Sequence, residues 1–262
     1  MFIELCPQVA SYYGNRSACY ILMGRFKESL DDAQKSVKLD PNFVKGYLRE
    51  AKSFINLGDL NAALRSYENL RKIEPDCEDF LADYKNLQHI KKCIDDAEKY
   101  TQKNDHRTAL YNIERALSYA SECNKFKLLK AECLALLGRH KEAQDIATDI
   151  LRGDEMNVDA LYIRGMSLYY QDNIDKAFTH FQLVLRYNPD HNKAKDVFKK
   201  AKSLISKKQE GNKAFGEGKI EEAYQIYTSA LEIDPQNCFT NAKLYFNRAA
   251  TNAKVCNYFI TI

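Results

Sequence analysis

The chain has 262 residues and carries 39 basic against 36 acidic side chains, a net charge of +3. That balance supplies no broad field for holding nucleic acid or anionic lipid. Ten glycines, five prolines and no tryptophan accompany a mean hydropathy of −0.52, a helix-forming profile poor in the turn residues of a many-stranded protein. Apolar runs are too short to cross a membrane. Met1–Pro7 has no basic stretch leading into an apolar core, so it does not read as a secretory signal.

Eight cysteines, at 6, 19, 77, 93, 123, 133, 238 and 256, contain no C-x-x-C pair and no histidine at zinc spacing. Reduced thiols in a cytosolic or nuclear protein are expected, with no metal and no cofactor. Cys19, Cys93 and Cys133 are expected as small helix-packing residues.

The prolines punctuate the chain at 7, 41, 75, 189 and 235, the first three of them 34 residues apart. Gly24 and Gly58 are also 34 apart, as are Ala109, Ala143 and Ala177. The gaps from Ala63 to Ala109 and from Ala177 to Ala223 are both 46, one period plus an insertion of 12. In chain order this predicts helix–turn–helix units over 10–43, 44–77, 90–123, 124–157, 158–191 and 204–237, with a seventh starting near Ala242. The polar stretches 78–89 and 192–203 extend neighbouring helices. The expected modules are 1–77 with a truncated first repeat, 90–191, and a truncated 204–262, the two spacers lying between them.

Within each unit the residue types have assigned work. Gly24, Gly58, Gly138 and Gly218 end first helices, where a left-handed residue is wanted. Ala63, Ala143, Ala177 and Ala223 let two helix backbones approach. Proline closes the second helix because no helix continues through it. Tyr47, Tyr67 and Tyr227 fall at repeat-core slots.

A 34-residue period is that of the tetratricopeptide repeat, and the fullest copy is Lys208–Pro235, with Gly211, Gly218, Ala223, Tyr227, Ala230 and Pro235 in place. Nearly the whole chain resembles that family. The resemblance implies an all-α solenoid, a right-handed superhelix whose concave groove is lined by first helices.

Catalysis finds no support in the sequence. The five histidines are scattered, none beside a Cys or Ser in a nucleophile motif, and there is no phosphate-binding loop. Asp31–Asp32 and Asp95–Asp96 read as solvated helix faces. The chain is not expected to be an enzyme, and no catalytic residue is assigned.

The groove is more informative. At about 100° per residue, positions 4, 7, 8 and 11 of each first helix cluster toward the core, and positions 2, 5, 6 and 9 face the groove. The groove positions hold Asn15 in the first repeat, Lys45 and Arg49 in the second, Lys208 and Asn212 in the sixth, and Asn247 in the seventh. Lysine and arginine supply charge-assisted donors, and asparagine fixes carboxylate geometry without added charge. This set resembles the two-carboxylate clamp of heat-shock co-chaperones. The resemblance implies binding of the acidic Glu-Glu-Val-Asp tails of the seventy- and ninety-kilodalton chaperones, with no nucleic acid or membrane partner. Neither clamp is complete. The central repeats place Ile94, Glu98, Leu129, Asp159 and Ile163 at the equivalent slots.

Two clamp-bearing outer modules around a clampless middle are similar to the DnaJ-type co-chaperones that carry tetratricopeptide repeats. Those end in a J domain with a His-Pro-Asp triplet, which is absent here, so the chain is expected to be a piece or a truncated product. A general adaptor with another partner, or the regulatory segment of a longer enzyme, are the alternative readings. From 253 onward the segment ending Tyr258-Phe259-Ile260-Thr261-Ile262 has no turn glycine and is apolar, and it is expected to be irregular and prone to self-association.

Overall fold

The computed structural model describes residues 6–75 and 78–260, the side chains of 78–79 and 255–260 excepted. Among the described residues there are thirteen α-helices and no strand. They are α1 Ala10–Leu22, α2 Phe26–Leu39, α3 Val44–Leu57, α4 Leu60–Ile73, α5 Glu78–Gln102, α6 His106–Leu117 and α7 Asn124–Leu136. There follow α8 His140–Gly153, α9 Val158–Tyr170, α10 Ile174–Tyr187, α11 Asn192–Gly216, α12 Ile220–Leu231 and α13 Cys238–Ile260. The insertions 78–89 and 192–203 are the opening turns of α5 and α11, each 25 residues long.

Six first helices end in the same way. The residue at position 15 of each repeat has positive φ: 71° at Gly24, 81° at Gly58, 80° at Gly138 and 79° at Gly218. Asn104 and Asp172 take the slot in the other two, at 58° and 59°, being side chains that tolerate the left-handed region. The next N–H then reaches back to close the helix, as Arg25 does onto the Tyr20 carbonyl and Asn173 onto Leu168, both at 2.9 Å.

Second helices pack at position 20. Ala63, Ala109, Ala143, Ala177 and Ala223 there are wholly buried. In the first repeat Ser29 fills the slot and satisfies its hydroxyl against Ser17 and Ser53, at 2.9 and 2.8 Å.

The chain forms two compact units, Met1–Cys133 and Leu134–Ile262. The first is built on Tyr47, Tyr67, Phe80, Leu87, Ile90 and Phe126, with Tyr67 edge-on to Phe80 at 5.7 Å. The second buries Tyr169, Phe181, Val184, Leu204, Tyr227 and Leu244. Each such side chain taken from water contributes about 1.5–3 kcal/mol.

Four expectations are corrected. Asp32 is not a solvated acid: it is buried and accepts both arms of the Arg16 fork, at 2.6 and 2.7 Å. Cys19 is exposed, whereas Cys93 and Cys133 are buried as expected. Ile94 and Ile163 belong to the core, because apolar side chains at those slots turn inward instead of lining a groove. The backbone from 253 to Ile260 is helical, continuing α13 without a turn because no residue at 256 stops it; Thr261 and Ile262 lie outside the described residues.

Candidate carboxylate-binding sites

In the first unit, α1 and α3 present Asn15, Lys45 and Arg49. Lys45 and Arg49 are four residues apart on α3 and so share a face. Arg49 reaches α1 because residue 14 is glycine: a Cβ there would stand 2.7 Å from Arg49 Nη1 and 2.5 Å from the Phe43 ring. The Arg49 guanidinium therefore lies against the α1 backbone at Gly14, next in sequence to Asn15.

The electrostatics of that arrangement are unusual. Arg49 Nη1 is buried and has no hydrogen-bond partner among the described residues. Burial pulls the guanidinium below its ordinary pKa, opposed in part by the nearby Cys19 thiol. Asn15 and Lys45 are exposed, and neither side chain is hydrogen-bonded or ion-paired among the described residues. A buried donor left unmade costs about 1–3 kcal/mol, so this patch gains by receiving an acceptor.

In the second unit, α11 carries Lys208 and Asn212, and α13 carries Asn247. The structure joins all three into one region. Asn247 Nδ2 donates to Asn212 Oδ1 at 3.1 Å, and the Tyr227 hydroxyl donates to the same oxygen at 2.8 Å. Lys208 Nζ lies 3.9 Å from Asp172. Three further residues of this region were missed in the sequence: Asp172 at the α9–α10 turn, Thr240 and Lys243. Thr240 donates to Asp172 Oδ1 at 2.8 Å, and Lys243 is ion-paired with the other oxygen. Burial pushes the Asp172 carboxyl up, but the Lys243 and Thr240 hydrogen bonds and the Lys208 charge outweigh it and hold it below its ordinary value. Lys243 had a signal, since it occupies position 2 of its repeat as Lys45 does of its own.

The central repeats, where no clamp is expected, present different residues at these slots. Asp159 pairs with His191 at 3.5 Å, Glu98 is exposed, and no cluster of three or more metal-ligating side chains exists among the described residues. No described helix is long and apolar enough to cross a membrane.

A sequence model described as tetratricopeptide repeat matches residues 10–43 and 214–237. The chain is 49% identical to human DnaJ homolog subfamily C member 7 over 97% of its own length and 51% of that protein's. It belongs to the tetratricopeptide-repeat family. A Dictyostelium discoideum homolog of the same protein is 34% identical over 92% of this chain and 46% of its own. A model described as anaphase-promoting complex, cyclosome, subunit 3 matches residues 102–184. Among solved structures, the P58(IPK) TPR domain superposes with a TM-score of 0.62 at 17% identity, covering 95% of this chain and 70% of that one, which supports the repeat fold alone. The chain spans about half the length of the curated relatives it matches.

Proposed function

We propose that this tetratricopeptide-repeat chain is a non-enzymatic co-chaperone scaffold that takes the acidic C-terminal tails of the seventy- and ninety-kilodalton heat-shock chaperones. Asn15, Lys45 and Arg49 form one half-clamp; Lys208, Asn212 and Asn247 form another. The observation that carries this reading is Arg49 Nη1, buried against Gly14 of α1 with no hydrogen-bond partner among the described residues, a donor that a carboxylate oxygen would satisfy. The likeness to DnaJ homolog subfamily C member 7 supports the same class of partner. The setting is a reducing cytosol or nucleus, which suits six cysteines that stand outside any disulfide among the described residues.

A full clamp of micromolar affinity corresponds to about −8 kcal/mol. Losing two charge-assisted contacts at about 1.5–3 kcal/mol each leaves weak binding, near the millimolar range. The test is an NMR titration with a peptide ending in Glu-Glu-Val-Asp, as the free acid and as the C-terminal amide. Weak binding of the free acid, reduced by amidation and by Lys45→Ala/Arg49→Ala, is expected. Equal binding of acid and amide would overturn the reading in favour of an adaptor with another partner.

A further inference from the structure

Asp172 stands in the turn between α9 and α10, at the position that four other repeats fill with glycine. Its left-handed backbone aims a carboxylate at α11 and α13 rather than at solvent, and the side chain is only 8% exposed. There it meets Thr240 at 2.8 Å, Lys243 in an ion pair, and Lys208 at 3.9 Å. Each of those lysines is one helical turn from an asparagine of the candidate site, Lys208 from Asn212 and Lys243 from Asn247, and the two amides are themselves joined at 3.1 Å. Two ammonium groups, a hydroxyl and an adjoining amide pair form the donor set that an external carboxylate would need. The carboxylate already present is the chain's own.

We propose that Asp172 is a built-in stand-in for the ligand carboxylate, occupying the C-terminal half-clamp so that an acidic peptide binds there only by displacing it. The inference rests on the proposed function, because it concerns the same site. An intramolecular group acts at an effective concentration of millimolar or more. A peptide of near-millimolar intrinsic affinity is therefore outcompeted, its apparent affinity falling with the fraction of molecules in which the site is open. The glycine resident at the same turn position in four repeats offers a replacement suited to the backbone. Asparagine offers another, keeping an acceptor for Thr240 while removing the charge.

The experiment uses the full chain with the N-terminal half-clamp removed by Lys45→Ala/Arg49→Ala. Asp172→Gly and Asp172→Asn are compared in that background by NMR titration with the Glu-Glu-Val-Asp free acid. Binding tighter by about tenfold or more is expected in both, the conversion of a mostly closed site to an open one. The gain should vanish with Lys208→Ala and with the amidated peptide. Unchanged or weaker binding in both variants overturns the inference, as does a gain that survives Lys208→Ala. Loss of circular-dichroism helicity in both also overturns it, since a carboxylate the fold depends on is not displaceable. The two levels separate cleanly: free-acid binding to the unmodified chain that Lys45→Ala/Arg49→Ala removes, with no gain from Asp172→Gly, sinks the inference alone. Free-acid binding absent from every form sinks the proposed function with it.

Discussion

Arg49 and Lys208 project from comparable faces of first helices, yet they end in opposite circumstances. Among the described residues Arg49 Nη1 is buried with no acceptor, and the exposed side chains of Asn15 and Lys45 make no hydrogen bond or ion pair. Lys208 shares the Asp172 carboxylate with Lys243, while Asn212 and Asn247 bond to one another. The first set of side chains includes a buried donor without a partner among the described residues; the second is paired within the chain. Residues of the same chemical type at matching repeat positions thus differ in whether the chain itself supplies their partners.

The sharpest way to break this comparison is to make the same substitution on both sides. A Cβ on Gly211 would stand 2.6 and 2.8 Å from the Tyr227 ring, which is a buried core side chain with no room to move. Gly211→Ala should destabilise the second unit by about 1–3 kcal/mol through overpacking. It should also disturb the Tyr227–Asn212 bond. A Cβ on Gly14 meets the Phe43 ring and the end of a flexible arginine, so Gly14→Ala should cost less stability and more binding. Urea melts and peptide titration check the pair. If Gly14→Ala costs as much stability as Gly211→Ala, or leaves peptide binding intact, the N-terminal patch is core and not a site.

Arg49→Met tests the unmade bond directly. Replacing an unpartnered buried donor by an apolar chain of similar reach should leave stability unchanged or raise it by up to about 1 kcal/mol. The same change should weaken free-acid binding by about tenfold or more, the loss of one charge-assisted contact. A drop of several degrees in Tm, with binding retained, would make Arg49 structural.

How far the sequence carried this comparison depends on what each feature requires. The 34-residue frame alone located the αL turns at Gly24, Gly58, Gly138 and Gly218 and the buried alanines at position 20, because these slots tolerate few residue types. It also brought Asn212 and Asn247 to one place, since i,i+4 geometry and repeat stacking fix where such slots lie. The partners of those residues were not legible. Asp172 occupies a slot read as a turn, and its role depends on α13 lying where Thr240 and Lys243 reach it. The burial of Asp32 was missed for a similar reason: it depends on Arg16, sixteen residues earlier and on another helix. Helical periodicity reports which face a residue is on, but not which side chain meets it from a neighbouring element.

Acid should act unevenly on the chain. In the second unit His140 and His180 have buried Nδ1 atoms without hydrogen-bond partners among the described residues, and burial pulls both pKa values down, Arg164 adding to the effect at His180. Burial thus disfavours the imidazolium of both in the fold, whereas the unfolded chain protonates near an ordinary value of about 6.5. As pH falls below that, the unfolded state takes up protons the native state refuses, and stability declines. The stabilisation held by Asp172 is lost only further down, as pH falls through its depressed carboxylate value, so the two windows are separate. His140→Phe should keep the stacking on Tyr170, seen at 5.9 Å and 11°, and reduce the loss of Tm between pH 7.5 and 5.5. A pH response identical in wild type and variant would show that His140 does not titrate with unfolding.

The smallest expected effect lies at the end of α13 and separates its last turns from the site they follow. Lys254 Nζ sits 4.1 Å from the centroid of the Phe215 ring on α11, a cation–π contact worth about 0.5–1 kcal/mol at an exposed position. This contact holds α13 to α11 beyond Asn247, on the far side of the asparagine pair from Lys243. A chain shortened to end at Lys254 keeps it; a chain ending at Ala253 loses it. The two truncations should therefore differ in urea-melt stability by about 0.5 kcal/mol, and Lys254→Ala in the full chain should reproduce the difference. Neither should alter the affinity gained from Asp172→Gly, because Lys208, Asn212 and Asn247 remain. If ending at Ala253 abolishes that gain, the asparagine pair depends on the last turns of α13, and the C-terminal site extends further along the helix than Asn247.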